Sequence, residues 1–457
     1  MTDTDRITEP TIEHIVSQRF EHLPPQAVQA AKTFVLDSIG VALSGTRVPL
    51  VQQLHAVAQS WGASNACRVW GSGERVPAAT AAFLNGYQIH NQEWDCVHEP
   101  AVVHPMAVVL STLLAFAEAR GGIDGRRLIL GVSVAVDVAA TIGMAARNKL
   151  RFFRPAMCGA LGATAGLASL LRLDAATTQS ALGIAYSQLS GTMQAHVEGS
   201  PVLPMQIGFN TRAALTAIEM ATRGIAGPRD FLEGPYGYFT LIDPQWERAP
   251  FRDLGRVFRI AELSHKPYPS GRATHGGIDG LLSLQREHGF GAGQVDQVRV
   301  LAPPLVIQLV DRAPRPDMAP SYARLCLPYV AATALLTGAV DVLDFEPAAI
   351  ANRARRALAA RIRAIVDDNP LLNALAPQRV EVDLRDGLRL AMDLPAVLGA
   401  PGRPMSREQH LAKFRRAAES GSVALGADRV RQLIRAADEL ESLPDVRELV
   451  DLMIFPQ

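Results

Sequence analysis

Pro155-Ala-Met-Cys-Gly159-Ala-Leu-Gly162-Ala-Thr-Ala-Gly166-Leu-Ala-Ser-Leu-Leu171 is the stretch from which the fold class of this chain is read. No charge interrupts it, and Gly159, Gly162 and Gly166 recur at spacings of three and four. On a helix they fall along one side, which then carries almost no bulk. A glycine-rich phosphate cradle needs a preceding strand and a Lys-Ser/Thr pair, and neither is here. The glycine side instead suits a helix pressed backbone to backbone against its neighbours.

Working outward, the same character continues. Hydrophobic residues make up 48% of the 457 positions and aromatics only 6%. Small apolar residues at that density suit packed helices better than a sandwich of sheets. Helical runs are predicted at about 26–43 (after Pro24 and Pro25, closed by Gly45), 77–90, 105–119, 124–146, 155–171, 174–189 and 204–224. The run at 128–146 approaches the length of a membrane span, but Asp137 sits near its middle and its neighbours are equally apolar. A buried core helix is the better reading.

Periodicity changes near 255. Segments 257–263, 297–301, 379–384 and 388–392 alternate like strands, and Asp386-Gly387 between the last two is a hairpin turn signal. Helical runs at 274–287, 321–336 and 348–366 lie among them, and beyond 400–404 (Ala-Pro-Gly-Arg-Pro) the chain reads as helix to its end. A mainly α protein is expected: a large all-helical domain over 1–265, a smaller α+β domain over 266–399, and a helical return over 400–457.

Formal net charge is zero, which gives no reason to expect a nucleic acid or an anionic membrane as partner. Cys67, Cys96, Cys158 and Cys326 form no CxxC pair and read as free thiols. The start, MTDTDRITEP, is too polar for a secretory signal, so a cytoplasmic protein is expected.

Three segments concentrate chemistry. His90, Glu93, Asp95, His98, Glu99 and His104 fall within fifteen residues between two apolar runs. Histidine and carboxylate suit a metal, but HExxH is missing and His90 to Glu93 is the clearest pair at helical spacing, so no metal is expected. In His265-Lys-Pro-Tyr-Pro-Ser-Gly-Arg-Ala-Thr-His275, Thr274 is placed to cap a helix that starts near His275. A histidine there is held neutral by the helix dipole and suits a base, with Lys266 and Arg272 supplying positive charge. Ser321 to Tyr329 adds a cation, Arg324, and a phenol to an apolar run.

Together these segments resemble the MmgE/PrpD family, which includes 2-methylcitrate dehydratase, cis-aconitate decarboxylase and iminodisuccinate epimerase. The resemblance runs nearly the whole length and rests on NGYQIH with Asp95, His104-Pro105, GALGATAGLASLLRLD, ALGIAYSQLSG, KPYPSGRATHGGID and the ARxxxxYVAATALLTG run. It implies a helical domain with an α+β lid, an active site between them, a homodimer, and no cofactor. It also implies His104 and His275 as an acid/base pair and Tyr329 as a hydrogen-bond donor, with Asp95 and Glu93 in the family's acidic run. Lys266, Arg272 and Arg324 are then candidates to hold a carboxylate substrate, with His98 beside them.

The departures are equally specific. Glu93 stands where the family has Asp, and Cys96 and Val97 replace Asp and Thr. Phe152-Phe153-Arg154 replaces Gly-aromatic-His, and Leu203 and Gln206 replace the Lys and His of a Thr-Lys-x-x-His pattern. One lysine and two histidines are gone while Arg154 is gained. The expected reaction is proton abstraction beside a carboxylate, foremost dehydration of a small carboxylic acid other than 2-methylcitrate. Decarboxylation or epimerisation is the alternative, and a silent ligand-binding relative the third reading.

Overall fold

Gly162 and Gly166 lie where helices Gly125–Ala145 and Arg154–Leu171 press together. A Cβ on either would run into a backbone carbonyl, that of Ala135 or of Gly131, and one on Gly159 would strike Val108 of helix Pro105–Arg120. The bare side of the glycine helix is thus filled by two neighbours, as its spacing predicts. The computed structural model describes residues 6–455. Around this contact, helices Pro25–Gly45, Ala78–His90 and Val202–Ala221 complete one large core. Helices Arg407–Glu419, Ala427–Asp438 and Arg447–Met453 return to it from the C-terminal end.

Helix Gly125–Ala145 is long and apolar enough to cross a membrane, yet 94% of its most apolar window is buried inside the protein. Asp137 within it accepts the backbone N–H of Arg259 at 2.7 Å and faces His14 at 3.3 Å. A buried carboxylate so partnered belongs to a protein core.

A second core forms on a four-stranded sheet, ordered Ile362–Val366, Val295–Ala302, Gln378–Leu384, Arg389–Leu394. The first pair is parallel, with Val298 opposite Ile362, and the other two are antiparallel. Helices His275–His288 and Leu327–Thr337 pack against it. The protein is mainly α with a smaller α+β portion.

Three predicted elements differ. Segment 257–263 is a 3-10 turn, Arg259–Glu262, because Phe258, Ile260 and Leu263 all bury in the helical core rather than on a sheet. Segment 348–366 is two short helices followed by strand Ile362–Val366, whose ladder with Val295–Ala302 overrides the local helical pattern. Segment 321–336 breaks at Cys326, where Pro328 opens a new helix.

Candidate active site

Helix Ala78–His90 stops at His90, and Glu93 follows in a left-handed conformation, φ 53°. Val102 adopts the same φ, which is costly for a β-branched residue. Between them the chain doubles back, with His98 and Val103 exchanging backbone hydrogen bonds. His104 then stands directly before helix Pro105–Arg120. Two strained residues therefore fold the acidic loop over its own histidines.

The product is a buried charge cluster. The Asp95 carboxylate lies 3.0 Å from His90 Nδ1 and 3.5 Å from His104 Nδ1, with the two imidazoles edge to face at 5.0 Å. Lys266 reaches in from the other core, 2.9 Å from the Glu93 carboxylate and 3.9 Å from that of Asp95. Burial pushes both carboxyls up, but the surrounding cations outweigh it. Asp95 is held well below the usual range by His90, His104 and Lys266, and Glu93 is held at about 2, mainly by Lys266. The imidazoles split. Burial and Lys266 lower the pKa of His104, while at His90 Asp95 and Glu93 overcome burial and raise it. Paired groups driven apart in this way are suited to hold and exchange one proton.

His104 and Glu93 face a narrow cavity of about 60 Å³ between the two cores. Most of its wall is apolar, including Val102, Leu150, Phe153, Met193 and Leu309. Arg154, the first residue of the glycine helix, also lines it and is only 1% exposed. Its Nη2 donates to the Asn148 carbonyl at 3.1 Å and lies 3.4 Å from Asp243, but Nε and Nη1 meet no acceptor among the described residues. A buried guanidinium with unpartnered donors beside a cavity is suited to a carboxylate.

Several expected site residues lie elsewhere. His275 is buried behind the cavity wall, its Nε2 3.2 Å from the Ser270 carbonyl and its ring edge-on to Tyr268. Thr274 donates to the Gly271 carbonyl instead of capping the helix, and the resulting 3-10 turn turns Gly271, Arg272 and Ala273 to the cavity in place of the histidine. Arg272 is at the wall, but its donors go to Glu99 and to the carbonyls of His265, Val397 and Leu398, which makes it a clamp. Tyr329 donates its hydroxyl proton to the Asp344 carbonyl, away from this cavity. His98 is held between Glu262 and the Ala101 N–H. Leu203 packs in the helical core, Gln206 accepts from the Thr192 N–H at 2.6 Å, and Arg324 lines a different cavity.

Two residues gain roles that spacing did not give them. His90 shares Asp95 with His104. His196, on the short helix Gln194–Glu198, lines the cavity with Arg312 Nη2 at 3.0 Å from its Nδ1. Burial and then Arg312 push its pKa down to about 4. The one sequence signal for His196 is its place just before the altered Leu203–Gln206 pattern.

Among the described residues two clusters suit a metal ion by residue type: His90 with Asp95 and His104, and Asp37 with His265 and His410. In both an ammonium already faces the carboxylate, from Lys266 at 3.9 Å or Lys413 at 2.7 Å. The Cys96 thiol is fully buried and its pKa is pushed well above the ordinary value by that burial, so it is no thiolate nucleophile.

Comparison with known proteins agrees across the chain. The model of the MmgE/PrpD N-terminal domain matches residues 11–248 and that of the MmgE/PrpD C-terminal domain matches 268–440. Cis-aconitate decarboxylase of Mus musculus is 27% identical, covering 98% of this chain and 94% of that protein. The Homo sapiens protein of that name is 27% identical over 98% and 95%, and that of Aspergillus terreus (strain NIH 2624 / FGSC A1156) 26% over 95% and 93%.

Proposed function

We propose, from the premise that the chain belongs to the MmgE/PrpD family, that it is a lyase releasing carbon dioxide from a small unsaturated carboxylic acid. Dehydration was the leading expectation from sequence. The relatives, named as cis-aconitate decarboxylases, favour the decarboxylase alternative. The observation that carries the reading is that Arg154, a buried guanidinium with two unpartnered donors, lines the same cavity as His104.

Arg154 would grip the carboxylate that stays. The one that leaves would lie on the apolar wall, where a charged group that becomes neutral carbon dioxide is favoured by losing its water. As its carbon–carbon bond breaks, the electron pair shifts through the double bond. The carbon at the far end then takes one proton from the His104 imidazolium, which solvent restores. Asp95 at His104 Nδ1 would steady that imidazolium against burial and the opposing charge of Lys266. With one open guanidinium and so apolar a wall, the substrate would carry fewer carboxylates than a citrate, or an apolar arm.

The test is incubation of the purified protein in deuterated water with cis-aconitate and with unsaturated dicarboxylates, followed by mass spectrometry. Release of carbon dioxide with one deuterium gained on carbon is expected. Loss of water from a hydroxy acid with no carbon dioxide would instead make it a dehydratase. Deuterium exchange alone would make it an isomerase, and binding without turnover the silent relative.

A further inference from the structure

A second cavity, about 510 Å³ and open to solvent, lies against the first. Glu93 and Leu325 line one while their chain neighbours Gln92 and Arg324 line the other, so two peptide segments form a shared wall. Arg324 is 5% exposed, with its guanidinium 4.4 Å over the Phe345 ring. Its Nε and Nη1 are buried without an acceptor among the described residues. A buried guanidinium facing no acceptor is costly unless something charged comes to it.

The cavity's other charges do not meet that need. Arg47 and Glu346 also line it, but they pair with each other at 3.1 Å. Among the lining residues two arginines against one glutamate leave one positive charge over, and Glu93, whose charge reaches Arg324 across the shared wall, is already paired with Lys266. Burial pushes the Arg324 guanidinium down to about 10, so it remains charged at neutral pH. Gln92 is spent on the Ser44 hydroxyl and carbonyl, which leaves the arginine as the feature of the wall that calls for a ligand.

We propose that this second cavity binds a small oxyanion, a carboxylate or phosphate group seated on the Arg324 fork, at a site separate from Arg154. A planar fork with open donors matches the paired oxygens of either group. The site does not depend on the reaction proposed above.

Isothermal titration with inorganic phosphate, and separately with succinate, tests it on wild type, Arg154→Gln, Arg324→Gln and Ser422→Trp. Ser422 is exposed at the cavity, so its replacement obstructs the site while leaving Arg324 in place. Binding of at least one probe is expected to survive Arg154→Gln and to weaken about tenfold or more in the other two variants. The probe that shows this pattern identifies the oxyanion. If Arg324→Gln does not fold, Ser422→Trp decides alone. Wild-type affinity in both cavity variants, loss only in Arg154→Gln, or no binding of either probe to wild type would overturn the proposal.

Discussion

His104 is held between two influences: burial and the Lys266 ammonium lower its pKa, and Asp95 raises it, with the lowering dominant. As the proton donor of a decarboxylation it would work in its charged form, so kcat/KM should rise as pH falls below the ordinary histidine value. As the base of a dehydration it would work neutral, and the rate should fall over that range instead. Lys266→Gln removes a lowering influence, so the limb should move to higher pH, and a limb that stays put would detach Lys266 from His104. Arg154→Gln should raise KM by about tenfold to a hundredfold, the worth of charge-assisted hydrogen bonds. Arg154→Lys should restore little, because one ammonium does not reproduce the fork. The fold brings together His104, Glu93, Asp95, Lys266 and Arg154, which motif and charge single out in the sequence. That His275 and Tyr329 lie off this cavity has a physical cause. A motif fixes a position in the chain, but the wall a side chain faces depends on turns such as the one where Thr274 bonds Gly271.

The glycine helix links that chemistry to packing, because Arg154 begins it and its depth in the core sets where the guanidinium stands. Gly162→Ala would place a methyl against the Ala135 carbonyl, which is backbone and cannot swing aside. Overpacking of this kind costs about 1–3 kcal/mol, and a rigid neighbour argues for the upper end. A lowered urea midpoint together with a raised KM is the expected result. Lost stability at unchanged KM would show that the helix does not set the position of Arg154. Elements of this sort were the most legible part of the fold, since a period of 3.6 sustained over seventeen residues leaves little choice. Segments 257–263 and 348–366 were misread because burial against a partner remote in sequence decided them: the helical core for Phe258 and Ile260, and strand Val295–Ala302 for Ile362.

At the scale of the whole molecule, the cavity lies between two cores joined by buried charge. Lys266 reaches across to Glu93, and Arg272 reaches across to Glu99 at 2.9 Å. Glu93 is shifted from the ordinary 4.5 to about 2, burial being outweighed chiefly by Lys266. A carboxyl with a depressed folded-state pKa contributes stability that is complete above its unfolded value and is lost as pH falls through the folded one. The Glu93 contribution is therefore full above about 4.5 and fades toward about 2. Glu93→Gln leaves the Lys266 ammonium without its nearest carboxylate, a loss of about 3–5 kcal/mol where a buried pair is broken. The variant should consequently be much less stable than wild type near neutral pH, and the gap should narrow on acidification, because Glu93 of the unfolded wild type then takes up a proton that the folded protein still refuses. Urea unfolding of both proteins at about pH 6 and about pH 3 measures that gap. A gap that stayed constant would mean that the Lys266–Glu93 pair does not bind the two cores together, and that the Arg272–Glu99 pair and apolar packing hold the cavity between them.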